Sequence, residues 1–181
     1  MFHKLTLALG TALILGSTAL PAQEAANTPA APKQQEIKFS FTDTHGQKIE
    51  IVPTAKGLSY PTLKGKKVLA MFFIYSGTPC RNELQMFTRL RSQYPDLAFV
   101  AFELKGLKPD QLKAFEKELK LEGIHLIDTA QAMPFARYIA KAAGWQGSVP
   151  LIIVSDAKGE VKHMQLGALS PDDLQKVYEK L

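Results

Sequence analysis

The chain contains one cysteine, Cys80, and its neighbours decide what chemistry that sulfur can do. It stands in Ser76-Gly77-Thr78-Pro79-Cys80-Arg81, directly after a continuous apolar run from Val68 to Tyr75. Proline suits the first turn of a helix, where its missing N–H has no intrahelical role, and Ser76, Gly77 or Thr78 is placed to cap that helix. A cysteine at a helix start with Arg81 beside it has two influences favouring the thiolate, the reactive form of sulfur. A third acts the other way. Cys80, Leu84, Phe87, Arg91 and Tyr94 recur at helical spacing with Leu90 beside them, so Cys80 lies on the edge of an apolar stripe, where burial favours the neutral thiol. Two roles are open: a monothiol that forms mixed disulfides with another molecule, or a small buried hydrophobe. A single cysteine permits no internal disulfide. His45, His125 and His163 are far apart with no ligand spacing, and the chain shows no Gly-rich phosphate loop or Ser-His-Asp arrangement, so neither metal nor cofactor is expected.

The elements that position Cys80 follow from hydrophobic period. Ile37, Phe39 and Phe41 alternate with polar residues, Asp43 to Gly46 is a turn, and Ile49 and Ile51 alternate again, which predicts a hairpin with one buried face. Pro53 to Pro61 reads as loop. Val68 to Tyr75 is apolar throughout and predicts a central strand buried on both sides. A helix follows from about Pro79 to Tyr94, and Leu97 to Leu104 is a second buried strand. Pro109 to Glu122 is an amphipathic helix with Leu112, Phe115 and Leu119 inward, ended by Gly123, and Ile124 to Ile127 is a short strand. A third helix spans Met133 to Ala143, showing Phe135, Tyr138, Ile139 and Ala142 on one side, and Gly144 stops it. Trp145 to Pro150 leads into the buried strand Leu151 to Val154. The turn Asp156-Ala157-Lys158-Gly159 connects this to an edge strand, Val161 to Leu166. Ser170-Pro171-Asp172-Asp173 opens a last helix with Leu174, Val177, Tyr178 and Leu181 as its stripe. Long apolar strands alternating with helices predict an α/β fold, and the late hairpin makes the sheet mixed.

The ends and the composition set the surroundings. Met1 to Lys4 is a short basic start, Leu5 to Leu15 is apolar, and Gly16 to Ala22 is mostly small, the layout of a signal peptide over 1–22. A retained membrane anchor is the alternative, against which the apolar run falls short of the ~20 residues a span needs. Residues 23–35, rich in Ala, Pro, Gln and Asn, read as a disordered linker, leaving 36–181 as one domain. Hydrophobic residues make up 46% of the chain and charged ones 22%, enough for an ordinary core. The formal net charge of +5 falls by one when Lys4 is removed, and the lysines are scattered apart from Lys64, Lys66 and Lys67. An exported, mildly basic domain of this kind gives no reason to expect nucleic acid, nor a stable membrane span once the signal is cleaved.

Three stretches together resemble the thioredoxin fold and, within it, the exported TlpA/ResA-like thioredoxins, over roughly Phe39 to Leu181. Leu63-Lys64-Gly65-Lys66-Lys67-Val68 to Phe73 looks like the lead-in to the central strand. Pro79-Cys80-Arg81-Asn82-Glu83-Leu84 looks like the second half of the active-site motif, and Gly147-Ser148-Val149-Pro150 with the following strand and Gly159 looks like the cis-proline loop and terminal hairpin. The helix and strand at Pro109 to Ile127 match the family's insertion. The resemblance implies a thioredoxin-like mixed sheet flanked by helices, a periplasmic or otherwise exported location, redox surroundings and a cis Pro150. The match to the motif is partial. In the Trp-Cys-x-x-Cys frame Ser76 replaces tryptophan and Gly77 replaces the attacking cysteine; Leu151 follows Pro150 where threonine is usual, and Met71 occupies a strand position that holds a buried Asp or Asn in relatives. Dithiol exchange needs one thiolate to attack and a second thiol to resolve, so this chain alone has no such cycle. The Pro-x-x-x-Thr-x-x-Cys pattern of peroxiredoxins fails at Phe73 and Gly77. The resemblance therefore implies at most monothiol chemistry through Cys80 with a protein thiol or disulfide partner. The alternative is a redox-inactive module that holds an extended partner segment in a groove made by Gly77, Thr78, Pro79, Val149 and Pro150, with Trp145 beside it.

Overall fold

The computed structural model describes residues 37–181, and the expected signal peptide and linker lie outside them. The elements in chain order are β1 (Phe39–Thr42), β2 (Lys48–Thr54), β3 (Gly57–Ser59), β4 (Lys67–Phe73), α1 (Thr78–Leu90), β5 (Leu97–Glu103), α2 (Pro109–Leu119), β6 (Ile124–Ile127), α3 (Thr129–Ala143), β7 (Leu151–Ser155), β8 (Val161–Leu166) and α4 (Pro171–Tyr178). Five strands form the main sheet in the order β6-β5-β4-β7-β8. β4 runs parallel to β5 and antiparallel to β7, so the sheet is mixed.

β4 is the centre of that sheet, and its alternation divides the core. Leu69, Met71 and Phe73 face one layer, where α1, α2 and α4 supply Leu84, Phe87, Leu112, Phe115 and Leu174. Val68, Ala70 and Phe72 face the other, where the N-terminal hairpin and α3 supply Phe41, Ile49, Ile51 and Phe135. A strand with helices or sheet on both faces has no wet side, which is why its sequence is apolar without alternation. Phe72 lies against the rings of Phe102, Phe135 and Trp145, with centroids 5.1, 5.6 and 5.1 Å away.

Four local expectations change. Ile37 is 54% exposed and precedes the first strand, so the hairpin's buried face starts at Phe39. The segment Pro53 to Pro61 is not all loop, because β2 continues to Thr54 and turns into β3, making a three-stranded sheet β1-β2-β3. Pro53 is tolerated there because it lies beyond the residues that pair with β1. β3 approaches the β7–β8 turn so closely that a Cβ on Gly159 would sit 2.6 Å from the Leu58 carbonyl oxygen, and the Leu58 N–H donates to the Gly159 oxygen at 2.8 Å. Third, α2 ends at Lys120 rather than at Gly123. Lys120 takes left-handed backbone (φ 52°), letting the Leu121 N–H donate back to the Glu116 oxygen and turning Leu121 into the core. Last, α3 starts four residues before Met133, because the Asp128 side chain caps it by accepting from the Ala130 and Gln131 N–H groups. Ala142 at its far end is exposed, while Phe135 and Ile139 are buried.

Phe72 links the aromatic layer to the central strand. Phe72→Ala is expected to destabilise the fold by about 3–5 kcal/mol, seen as a lower midpoint in urea unfolding. Leu166→Ser, at an exposed site on β8, is expected to stay within about 0.5 kcal/mol.

Candidate functional site

The turn between β4 and α1 is held from below by Glu103, the last residue of β5, which is fully buried. Its carboxylate accepts from the backbone N–H groups of Tyr75, Lys105, Gly106 and Leu107 and from the Thr129 hydroxyl. Buried oxygens met by this many donors repay much of their desolvation. Above it, the Lys105 ammonium donates to the Ser76 hydroxyl at 3.0 Å. The Tyr75–Ser76 turn is thereby fixed before α1 begins. Gly77 is the N-cap of α1 and offers no side-chain cap; the Gly77 oxygen takes the Arg81 N–H at 3.0 Å.

Cys80 sits inside the apolar stripe rather than on its edge. It is 1% exposed and belongs to the core layer that contains Met71, Phe73, Leu84 and Phe87. Burial pushes its thiol up from the ordinary cysteine value, the Glu83 carboxylate nearby pushes the same way, and backbone hydrogen bonding at Ile74 only partly offsets them. Arg81 does not supply the expected positive field. Its guanidinium pairs with Glu118, donates to the Tyr75 oxygen and lies over the Phe115 ring.

The residue one helical turn on is the unexpected one. Glu83 is 3% exposed, its Oε1 accepts from the Leu169 N–H at 2.7 Å, and its Oε2 has no partner. Burial lifts its carboxyl to about 7, against the opposing effect of the Leu169 bond. The sequence carried one signal for it: Glu83 lies at the same helical phase as Cys80, Leu84 and Phe87, so an acid there must enter the core. Glu83 also lines an open cavity of about 540 Å³ with Thr78, Pro79, Met86, Arg89 and Leu169.

The Val149–Pro150 peptide bond is cis. The Pro150 oxygen takes the Gly167 N–H at 2.8 Å, so the proline loop and Glu83 of α1 grip the same segment, Gly167 to Leu169. Val149 packs against both core layers. Thr78 and Pro79 are thus brought to the cavity, and Val149 and Pro150 are tied to it through that segment. Trp145 is not brought to it. It is buried against Phe72 on the opposite face of the sheet, and its indole N–H donates to the Ser148 oxygen at 2.8 Å. His125 and His45 pair with Asp43 and Glu116 at 2.8 and 2.7 Å, and no group of three or more metal-ligating side chains is found among the described residues.

Comparison with solved structures identifies the architecture. A thiol:disulfide interchange protein of the thioredoxin family from Chlorobium tepidum superposes with a TM-score of 0.60 at 20% identity, covering 84% of this chain and 98% of that one. A secreted Mycobacterium tuberculosis disulfide oxidoreductase homologous to E. coli DsbE gives 0.57 at 19% identity, covering 79% and 96%. An exposed lipoprotein thioredoxin from Streptococcus pneumoniae gives 0.58 at 16% identity, covering 80% and 100%. No family model and no curated protein matches the chain. The chain has a thioredoxin-like fold, an α/β mixed sheet flanked by helices.

Glu83 makes stability depend on pH in a defined direction. Burial lifts its carboxyl to about 7 in the folded protein, against about 4.5 for a free glutamate. The folded state therefore holds the proton more tightly, and this stabilisation is complete below about pH 4.5 and lost as pH rises to about 7. Urea midpoints measured across that range for the protein and for Glu83→Gln are expected to diverge, with the wild type losing on the order of 2–3 kcal/mol more than the variant. Parallel profiles would show that Glu83 is ionised throughout.

Proposed function

We propose that this protein is an exported thioredoxin-fold binding module, related to the TlpA/ResA-like thiol–disulfide oxidoreductases, that holds an extended segment of a partner without exchanging disulfides with it. The observation that carries this reading is the burial of Cys80 at 1% exposure with its thiol pushed up. Exchange requires an accessible thiolate, and this sulfur is buried with its thiol shifted away from ionisation. The partner segment lies along the start of α1, over Thr78 and Pro79, beside Pro150 and across the cavity floored by Glu83. An extended segment needs pockets for alternate side chains along its path, and the open cavity beside Thr78 and Pro79 offers one. Export is supported by the signal-like layout of residues 1–22, and the M. tuberculosis and S. pneumoniae structures are described as secreted and exposed.

Gly77 is the residue that separates this module from a dithiol enzyme. A Cβ built on Gly77 lies 3.4 Å from the Cys80 sulfur and 3.1 Å from Ile74 Cγ1, so a side chain fits there if Ile74 yields slightly. An S–S bond spans ~2.05 Å, which puts a second sulfur on that Cβ within reach. Gly77→Cys is expected to form an internal disulfide on treatment with oxidised glutathione, each pair of thiols losing two protons and two electrons to the reagent. The reduced variant is expected to reduce insulin disulfides, while the wild type shows no turnover above the uncatalysed rate. Wild-type turnover, abolished by Cys80→Ala, would establish monothiol chemistry in place of the binding role.

A further inference from the structure

The surface around α3 and β8 carries charge of one sign. From Thr129 through Ser155 the chain has Arg137 and Lys141 and no acidic residue, and from Val161 through Pro171 it has Lys162 and again none. The acids between these stretches, Asp156 and Glu160, lie at the β7–β8 turn and are already engaged. Lys162 meets them at 3.3 and 2.7 Å, and Lys56 meets Glu160 at 3.0 Å. Arg137 and Lys141 are exposed one turn apart on α3, with no acid on their own helix to offset them.

The same surface is apolar. Met164 stands opposite Ile153 and Leu166 opposite Leu151 in the β7–β8 ladder. Ile153 and Leu151 belong to the core layer under α3, so Met164 and Leu166 emerge on the α3 side of the sheet. They are 46% and 59% exposed, two of the three exposed large hydrophobic residues among those described. Met164 separates two open depressions, one lined by Gly144 and Leu166 and the other by Tyr138 and Ala142, with Ala143 bordering both. Ala142, Ala143 and Gly144, at the end of α3, are exposed and present almost no side chain between Lys141 and these depressions. Soluble surfaces interleave both signs of charge and avoid contiguous apolar area, and a patch that does neither marks an interaction site.

We propose that the α3–β8 face rests on an anionic lipid surface, with Met164 and Leu166 entering the acyl boundary and Arg137 and Lys141 meeting the phosphate headgroups. Apolar side chains bordered by cations without acids are the two features that peripheral binding to such a surface combines. A protein partner would need side chains matched in shape to the depressions on either side of Met164, whereas acyl chains fill them without a matched shape. No helix among the described residues is long and apolar enough to cross a membrane, so the contact is with the surface alone. The cavity beside Thr78 and Pro79 lies with α1 on the opposite side of the sheet and stays open when this face is covered. The inference goes beyond the binding role and does not depend on it.

The test is sedimentation of the full chain with vesicles of phosphatidylglycerol and phosphatidylcholine in equal parts, and with vesicles of phosphatidylcholine alone. Binding to the first is expected to exceed binding to the second and to fall as salt is raised. The double variant Arg137→Gln with Lys141→Gln is expected to lose about fivefold in affinity for each cation removed. Met164→Ser with Leu166→Ser is expected to lose about tenfold or more. In a second measurement, Leu166→Trp is expected to shift its emission to the blue on anionic vesicles, while Lys117→Trp, on α2 across the sheet, is expected not to. Equal binding to both kinds of vesicle overturns the proposal, as does binding that survives both double variants, which would place the contact in the apolar start of the chain. Equal emission shifts at the two tryptophan positions overturn it as well. A chain that binds soluble polyglutamate but neither vesicle also overturns it, and makes the partner an acidic protein.

Discussion

β4 is apolar on both faces, and the remaining elements are arranged to keep water off it. Its parallel pairing with β5 and antiparallel pairing with β7 satisfy the backbone, so the cost of a fully buried strand falls on the side chains that must cover it. The α1–α2–α4 layer covers Met71 and Phe73, and the hairpin with α3 covers Ala70 and Phe72. Cys80 belongs to the first of these layers. Its sulfur is positioned by the need to close the core over the end of β4, and that requirement alone accounts for its burial.

Two buried glutamates mark how differently a carboxyl group can be held in this fold. Glu103 has its oxygens met by backbone donors and a hydroxyl, and it ties the turn that precedes α1 to the loop that follows β5. It serves as a fixed anchor. Glu83 has one satisfied oxygen and one orphan, and its carboxyl is poised near neutrality beside an open cavity. A buried polar atom without a partner is costly, and that cost is the burial that lifts this carboxyl.

Much of the fold was legible because long apolar runs and helix caps are local signals. Val68 to Tyr75 announced a strand buried on both sides, and Ser170-Pro171 announced α4, whose Ser170 hydroxyl takes the Asp173 N–H as the spacing implies. What was not legible depended on contacts distant in sequence. The short β3 exists because Gly57 and Gly159 let two backbones meet, and neither glycine reveals its partner from the chain alone. The early start of α3 is the exception, since the Asp128 cap is local, accepting from the Ala130 and Gln131 N–H groups. At the site, the half-motif ending in Cys80 was readable, yet the balance between helix start, Arg81 and burial was not. Arg81 is drawn away by Glu118 and Phe115, residues on α2, and Trp145 turns to the opposite face to pack on Phe72.

The central claim is that Cys80 is a core residue in a protein that binds without exchange. Its most direct test is the rate at which an aromatic disulfide reagent labels Cys80, followed against pH and against urea. The account predicts labelling that tracks the unfolded population as urea is raised, with no reactive thiolate appearing in the folded protein below the ordinary cysteine pKa of about 8.5. Rapid labelling in the absence of urea, rising with a midpoint well below that value, would contradict it and return Cys80 to the role of a monothiol.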